Sequence, residues 1–286
     1  MTELGLIRWI RGRGHGIGDD CAILPGGRGQ ELLVTTDMLI EDVHFRRGHK
    51  PELIGHKALG RGLSDIAAMG GTPRWCLLSL ALPPWASTAW TRRFYSGLLA
   101  LAKRHRTKLV GGDLAHSDRL MADIVVIGEA PRSAILRRDG ARPGDGIYVT
   151  GVLGAAGVRN YAPTLFEPRI ATGRFLHGRA SACMDLTDGL ALDLHRLCLE
   201  SKAAAVIDRP LPVAHGATLT QALEAGEDYE LLFTAPAEPP RSHRGLPITR
   251  IGTIVRGRAG TLELFGRRLA PKGYDHFRKQ TKAGTS

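Results

Sequence analysis

The chain has 286 residues, of which 43% are hydrophobic and 23% charged, a composition typical of globular proteins. No apolar run approaches the roughly 20 residues that span a bilayer, and the first residues form only a broken apolar stretch among arginines, so we expect neither a membrane protein nor a secretory signal. The net charge of +11 comes from basic residues spread along the chain without a recognition-helix motif, which argues against nucleic-acid binding. Four dispersed cysteines without a C-x-x-C pair fit a reducing cytoplasm.

Apolar strands and amphipathic helices alternate through the first half of the sequence. The hydrophobic spacing predicts strands over 31–36, 77–82, 108–110 and 121–130, and helices over 54–69 and about 88–105. The strand over 31–36 should end at Asp37, and the strand over 108–110 should run into the turn Gly111-Gly112-Asp113. This alternation predicts an α/β or α+β layered domain.

A polar passage over 131–145, with proline and glycine, predicts the join to a second domain. Beyond it we expect strands over 147–150, 182–186, 203–207, 229–234, 248–255 and 261–265, and a helix over 190–201. We therefore expect an N-terminal domain over 1–133 and a C-terminal domain over 134–286.

Several aspartates stand at or near the ends of these strands. Any one of them alone would be a cap or turn residue, but strand ends and glycine-rich turns are where α/β folds gather ligand sites. Carboxylates brought together repel one another and need a cation. Ligands that are all oxygen favour Mg²⁺ or Mn²⁺ over zinc, and Mg²⁺ commonly bridges carboxylates to phosphates. The sequence thus predicts a magnesium–nucleotide site at Asp20, Asp37, Asp65, Asp113, Asp185 and Asp188.

The common nucleotide and hydrolase signatures are absent from the sequence. It has no G-x-x-x-x-G-K-[ST] loop, no G-x-G-x-x-G after a strand, and no protein-kinase H-R-D or D-F-G motif. H-E-x-x-H and G-x-S-x-G are missing as well. A P-loop, a dinucleotide-binding Rossmann domain and a protein kinase are therefore not expected.

Seven segments, taken in order, resemble the thiamine-monophosphate kinase family, which belongs to the superfamily of aminoimidazole ribonucleotide synthetase. They are GIGDDCAIL (16–24), TTDMLIEDVHF (35–45), HKALGRGLSDIAAMGGTPRW (56–75), GGD (111–113), MDLTDGLALDL (184–194), GEDYELLF (226–233) and KGYDHF (272–277). The resemblance implies two α/β domains with the nucleotide in the cleft between them, and a homodimer built through the N-terminal sheets. It implies ATP- and Mg²⁺-dependent phosphorylation of thiamine monophosphate to thiamine diphosphate.

The resemblance also implies roles for individual residues. The metal-binding set is Asp20, Thr35, Thr36, Asp37, Asp65, Asp113, Asp185 and Asp188. The ATP contacts are Gly112, Asp113, Arg138 and Thr187. The substrate side is His44, Glu227 and Tyr274. The chain departs from the family pattern in having Thr187 where serine is usual, His116 after the GGD turn and Tyr274 where tryptophan is common, and in shorter stretches before Met184 and Gly226.

The implied reaction needs no strong general base, and the sequence offers none distinct from the metal ligands. The acceptor is a phosphate with a second pKa of about 6, so it is already nucleophilic near neutral pH. Alignment of acceptor and donor, with Mg²⁺ offsetting their repulsion, is the expected source of catalysis by direct in-line transfer.

Two alternatives stay open at the level of sequence. One is a sister enzyme of the superfamily that uses the same Mg–ATP core on another substrate. The other is a non-catalytic nucleotide- or nucleic-acid-binding relative, which the basic charge and the shortened second domain would fit.

Overall fold

The fold was described from a computed structural model, which covers residues 3–14, 17–27 and 29–277. The helices are α1 (Glu3–Arg11), α2 (Pro51–Ala68), α3 (Thr88–Arg104), α4 (Ala155–Val158), α5 (Ile170–Phe175), α6 (Leu190–Glu200) and α7 (Leu219–Glu224), with a 3₁₀ turn at Arg132–Ala134. The strands are β1 (Ala22–Pro25), β2 (Gln30–Ile40), β3 (Thr72–Leu82), β4 (Lys108–His116), β5 (Met121–Pro131), β6 (Gly146–Thr150), β7 (Ala182–Asp185), β8 (Ala204–Ile207), β9 (Leu231–Ala235), β10 (Ser242–His243), β11 (Leu246–Val255), β12 (Leu262–Leu264) and β13 (Arg267–Leu269). Within these ranges no helix is long and apolar enough to cross a membrane.

The first half of the chain forms a five-stranded sheet in the order β1-β2-β5-β3-β4. Its pairs are antiparallel except β3 and β4, which run parallel. Burial alternates along β2 and β5, as it does when one face of a sheet packs on a core. Leu33, Leu39, Ile124 and Val126 point to that core and are fully or almost fully buried.

Helix α2 lies between the two halves of the protein. Fourteen of its 18 residues are buried, and it contacts β2 and β5 on one side and α5 and β7 on the other. It also crosses α3 so closely that a Cβ on Gly97 would lie 1.9 Å from the carbonyl oxygen of Glu52. Because α2 is enclosed, polar side chains on it must find partners in the neighbouring elements.

The second half forms a sheet in the order β13-β12-β8-β11-β6-β9-β7, with β10 paired to β11. Its apolar side chains pack with α6 in a second core cluster. Strand β7 stands at one edge of this sheet and next to α2, so Asp185, the last residue of β7, reaches the space between the two halves.

The mixed α/β class and the alternating order of elements are confirmed, whereas three strand boundaries are wrong. Strand β3 begins at Thr72 and not at Leu77, because it pairs with β5 from Thr72 onwards. Strand β2 does not end before Asp37, because it pairs with β5 as far as Ile40. Strand β4 does not end at Val110, because it pairs with β3 as far as His116. Helix α1, in the segment read as a broken apolar stretch, was not predicted, and neither were the short elements α4, α5, α7, β10 and β13.

Candidate functional site

Three aspartates meet between the two halves of the protein. Asp20, Asp65 and Asp185 each offer a carboxylate oxygen, and these oxygens lie within 4.8 Å of one another. They come from the loop before β1, from α2 and from the end of β7. We call these three residues the acid cluster. A set of carboxylate oxygens at this spacing is a ligand set for a hard divalent cation such as Mg²⁺.

Arg138 neutralises one member of the cluster. Its Nη2 donates to Oδ1 of Asp20 at 2.5 Å and its Nε donates to Oδ2 at 3.1 Å. Its backbone N–H donates to Oδ1 of Asp19 at 2.8 Å, which ties the loop before β1 to the start of the second half. The residue expected to contact ATP phosphates is therefore at the site, where it forms a charge-assisted pair with Asp20.

The other two members of the acid cluster have hydroxyl partners instead of a cation. The hydroxyl of Thr35 donates to Asp65 at 2.5 Å, and that of Ser64 donates to Asp185 at 2.5 Å. Burial raises the pKa of Asp65 and the pKa of Asp185 well above the usual range, and the neighbouring carboxylates raise both further. Among the described residues, neither the half-buried Asp65 nor the buried Asp185 is thus paired with a positive charge, which is what a bound cation would provide.

The alternation of β2 separates the residues of the TTD motif. Thr35 and Asp37 lie on the face that packs on α2, where Nη2 of Arg61 donates to Oδ1 of Asp37 at 3.0 Å. Thr36 lies on the opposite face and is exposed, and its hydroxyl donates to Oδ1 of Asp123 at 2.7 Å. The side chain of Thr36 is therefore not brought to the acid cluster in this chain.

Helix α2 supplies the charged side chains of the site at four-residue intervals. Lys57, Arg61 and Asp65 lie on one helix face because residues four apart stack above one another. Nζ of Lys57 is buried and donates to the backbone oxygen of His44 and to Oε2 of Glu227, both at 2.7 Å. Burial lowers the pKa of Lys57. The ammonium group joins two residues that the sequence assigned to the substrate side.

The third substrate-side residue lies close to the first. The ring of His276 is 5.3 Å from the ring of His44 and 4.7 Å from the ring of Tyr274, measured between centroids. Nδ1 of His44 accepts from the backbone N–H of Ile40 at 3.0 Å. Burial, and then the charge of nearby cations, lowers the pKa of His44 to about 2, so this ring is neutral at physiological pH.

The TDG turn after β7 is held in place by one buried carboxylate. Oδ2 of Asp193 accepts from the backbone N–H groups of Thr187, Asp188 and Gly189 at 3.0 to 3.2 Å. The carboxylate of Asp188 accepts a short hydrogen bond from Arg196 and is not among the oxygens that lie within 4.8 Å of each other. Thr187 faces the GEDYELLF segment, where its carbonyl accepts from the N–H of Glu227 at 2.8 Å.

The GGD motif is placed away from the acid cluster of its own chain. Gly112 pairs with Leu78 of β3, which pairs with Ile124 of β5, which pairs with Asp37 of β2. Three strand spacings separate Gly112 from Asp37, or about 14 Å. Gly112 has φ 153°, and a Cβ there would lie 1.9 Å from the carbonyl oxygen of Leu78, so only glycine fits. Gly112 and Asp113 are exposed on the edge strand β4.

Sequence reasoning missed several residues of this site. Ser64, Lys57 and Arg61 were not assigned, although their spacing from Asp65 in a predicted helix was a usable signal. His276 lies inside the quoted KGYDHF segment, but nothing local shows that it meets His44. Asp193 is recognisable only from the turn it caps.

Comparison with known proteins finds relatives that match nearly the whole chain. Residues 18–130 match the family described as AIR synthase related protein, N-terminal domain. The chain is 33% identical to the thiamine-monophosphate kinase of Aquifex aeolicus over 97% of this chain and 98% of that protein. It is 37% identical to that of Salmonella typhimurium over 92% and 91%. A solved structure, AaThiL complexed with AMPPCP and TMP, superposes with a TM-score of 0.87 at 34% identity and covers 96% of this chain and 97% of that one.

The two sheets and the acid cluster thus define a protein of the AIR synthase-related class. Within that class the chain belongs to the thiamine-monophosphate kinase family, because the identity extends over nearly the whole length of both proteins. The chain is therefore a phosphotransferase, and its family belongs to thiamine biosynthesis.

Proposed function

We propose that this chain transfers the γ-phosphate of ATP directly to thiamine monophosphate, forming thiamine diphosphate, with Mg²⁺ as the required metal. The observation that carries the proposal is the acid cluster, in which Asp65 is half-buried, Asp185 is buried, and neither is paired with a cation among the residues that the structure describes. The solved relative that contains AMPPCP and TMP supports the choice of substrates.

Asp20, Asp65 and Asp185 are the residues that would hold the metal. Of the other predicted ligands, Thr35 and Asp37 share the face of β2 that packs on α2, and Asp113 would come from a second copy of the chain. Thr36, whose side chain faces away, and Asp188, which is paired with Arg196, stay proposed ligands on the resemblance alone. Bound Mg²⁺ would neutralise phosphate charge as donor and acceptor approach. The chain's own cations act beside it. Arg61 has a buried Nη1 without a hydrogen-bond partner among the described residues, so it offers a donor to a phosphate oxygen.

The nucleotide and substrate contacts are proposed at the positions that the sequence indicated. Gly112, Asp113, Arg138 and Thr187 would contact ATP, and His44, Glu227 and Tyr274 would contact thiamine monophosphate. The lowered pKa of His44 keeps its ring neutral over the physiological range. We therefore assign His44 to contact with the substrate and not to the acceptance of a proton. Lys57 fixes His44 and Glu227 relative to one another. We also propose that the chain divides into domains over 1–133 and 134–286. The four cysteines are free and buried, which supports a reducing cytoplasm as the location of the protein.

The test is the reaction itself. The purified chain is incubated with ATP, Mg²⁺ and thiamine monophosphate, and thiamine diphosphate is followed by chromatography beside Asp65→Asn and the control Asp118→Asn, whose carboxylate is exposed. Product that is lost with EDTA and in Asp65→Asn alone would support the proposal. No product with ATP still bound would favour a sister enzyme, and no product without ATP binding would favour the non-catalytic relative.

The in-line step has a separate test. With ATP made chiral at the γ-phosphorus, direct transfer inverts the configuration once. Retention would mean two transfers through a phosphorylated enzyme and would exclude the direct step.

We propose further that two copies pair through the five-stranded sheet, as the resemblance implied. The sheet face opposite α2 carries exposed apolar side chains, including Met38 (50% exposed) and Trp75 (36%). The edge strand β4 adds Val110 (56%) and Leu114 (66%). Such a face, with unpaired edges at β1 and β4, is usually covered by another chain.

A homodimer would also bring the GGD motif of one copy close to the acid cluster of the other. If β4 of one copy lies beside β1 of the other, Asp113 approaches the acid cluster of that other copy, since Asp20 lies just before β1, separated from it by Cys21. Mixing Asp65→Asn with Asp113→Asn then tests this. If each site is shared between the two copies, a dimer of one Asp65→Asn chain and one Asp113→Asn chain has one intact site. Random mixing makes about half of the dimers of this kind, so it restores about a quarter of the native rate. If both residues served the same chain's site, mixing would restore nothing.

A further inference from the structure

A cavity of about 710 Å³ lies away from the acid cluster. It is bounded by the end of α3, by the segment that contains α5, and by the β10–β11 hairpin. None of the residues that the sequence assigned to the metal, ATP or substrate is among its lining residues in the described part of the chain. The volume is that of a small-molecule pocket. We call it the basic cavity.

The charged side chains that line the basic cavity are one carboxylate and four guanidinium groups: Glu167, Arg104, Arg169, Arg174 and Arg244. Two of the guanidinium groups are already paired. Nη1 of Arg104 lies 2.7 Å from Oε2 of Glu167, and Arg169 makes a two-pronged pair with Glu230 at 2.5 and 2.7 Å.

The other two arginines give the cavity its positive surplus. The side chains of Arg174 and Arg244 make no hydrogen bond or ion pair with any other residue that the structure describes. A guanidinium group presents several N–H donors in one plane, which suits the oxygens of a phosphate group. Two such groups at one concave site attract a multiply charged anion more strongly than a single charge.

The remaining polar side chains of the lining are Thr172 and three histidines, His105, His177 and His243, of which the last two are held by hydrogen bonds. Nε2 of His177 lies 2.7 Å from the carbonyl oxygen of Gly70, and Nδ1 of His243 lies 3.1 Å from the hydroxyl of Thr172. The ring of His243 stacks on that of Phe175 with centroids 4.4 Å apart. These contacts hold the two histidine rings in the wall, whereas Arg174 and Arg244 are exposed to solvent.

We infer that the basic cavity binds a small molecule that carries two or more phosphate charges, at a site separate from the acid cluster. The surplus of two guanidinium groups, the single and already paired carboxylate, and the small-molecule volume together carry this inference. A nucleic acid is the weaker candidate, because it would follow an extended basic surface rather than enter one cavity.

The probe is inorganic tripolyphosphate, titrated calorimetrically into the full chain in the presence of EDTA. Without a divalent cation the acid cluster repels a polyanion, so the heat of binding reports the basic cavity. We expect one tripolyphosphate per chain, an affinity at least tenfold weaker in the double variant Arg174→Ala/Arg244→Ala, and an unchanged affinity in Asp65→Asn. Because Asp65→Asn should lack kinase activity, this result is independent of the proposed reaction.

The matched control is Arg256→Ala/Arg258→Ala, which removes the same charge from an exposed turn after β11. Equal weakening in both double variants would overturn the inference, since attraction to net charge alone would explain it. If tripolyphosphate does not bind the native chain, the inference is overturned as well. The same holds if an RNA oligonucleotide binds more tightly than tripolyphosphate and both double variants weaken the binding of RNA equally. Thermal melting of each variant confirms that it is folded before the titration.

Discussion

Replacing Asp65 with asparagine should stabilise the metal-free protein while it abolishes the response to metal. Asparagine keeps the volume of the side chain and an oxygen that accepts from the hydroxyl of Thr35. It removes the half-buried one of two neighbouring carboxyl groups that have no cationic partner in the described part of the chain. The usual expectation for a buried site residue is a loss of stability, so the predicted sign is diagnostic.

The size of the effect follows from the spacing of the cluster. Two ionised carboxylates whose oxygens lie within 4.8 Å of each other repel by at least about 3 kcal/mol at an effective dielectric constant near 20. Part of this cost is avoided when a proton binds, because burial and the neighbouring carboxylates raise the pKa of Asp65. We therefore expect a gain of about 1–3 kcal/mol in the free energy of unfolding, or a rise of a few degrees in Tm.

The effect should depend on pH in a defined direction. A carboxyl group whose pKa is raised by folding stabilises the native chain below its unfolded pKa, near 4, and that contribution is lost as the pH rises through the folded pKa. The metal-free native chain should therefore lose stability relative to Asp65→Asn from about pH 5 upwards. The difference in Tm between the two proteins should widen towards pH 8.

The assay is thermal unfolding in EDTA at pH 5, 6, 7 and 8, repeated with Mg²⁺ in excess. Mg²⁺ should raise the Tm of the native chain and of the control Asp118→Asn, and should have little effect on Asp65→Asn. A lower Tm for Asp65→Asn than for the native chain in EDTA at pH 8 would refute the reasoning, because repulsion within the acid cluster would then not be the dominant effect.

Three further predictions follow from buried contacts. Lys57→Met leaves the carboxylate of Glu227 without its cation, so urea unfolding should show a loss of about 3 kcal/mol, and Lys57→Met/Glu227→Gln should recover at least half of it. Gly97→Ala should cost about 1–3 kcal/mol because its Cβ meets a backbone oxygen of α2, whereas Gly48→Ala, which meets nothing within 4 Å, should be neutral in the same assay. The four cysteines are buried, and burial raises the pKa of Cys76 to about 11 and that of Cys198 to about 12, so a disulfide reagent at pH 8 should label less than one thiol per native chain and four after denaturation. Rapid labelling of the native chain would contradict the packing described here.

The sequence by itself determined the class of the fold and the chemistry of the site. Hydrophobic period is a local property, so α2, α3, β5 and β7 were all predictable to within a few residues. Aspartates next to glycine turns and strand ends indicated oxygen ligands for a hard cation, and seven ordered segments indicated the family. The strand ends were less predictable, because β2 and β4 extend as far as their partners do rather than as far as their own apolar runs.

Only the tertiary structure decided which of these residues meet. Asp20, Asp65 and Asp185 come together, whereas Thr36 turns to the other face of its sheet and Asp113 lies on an edge strand about three strand spacings from Asp37. The pair Lys57–Glu227 joins residues 170 positions apart, and nothing local marks either as the other's partner. The physical reason is that helix and strand patterns fix which way a side chain points along its own element, while the packing of α2 between two sheets fixes what it then touches.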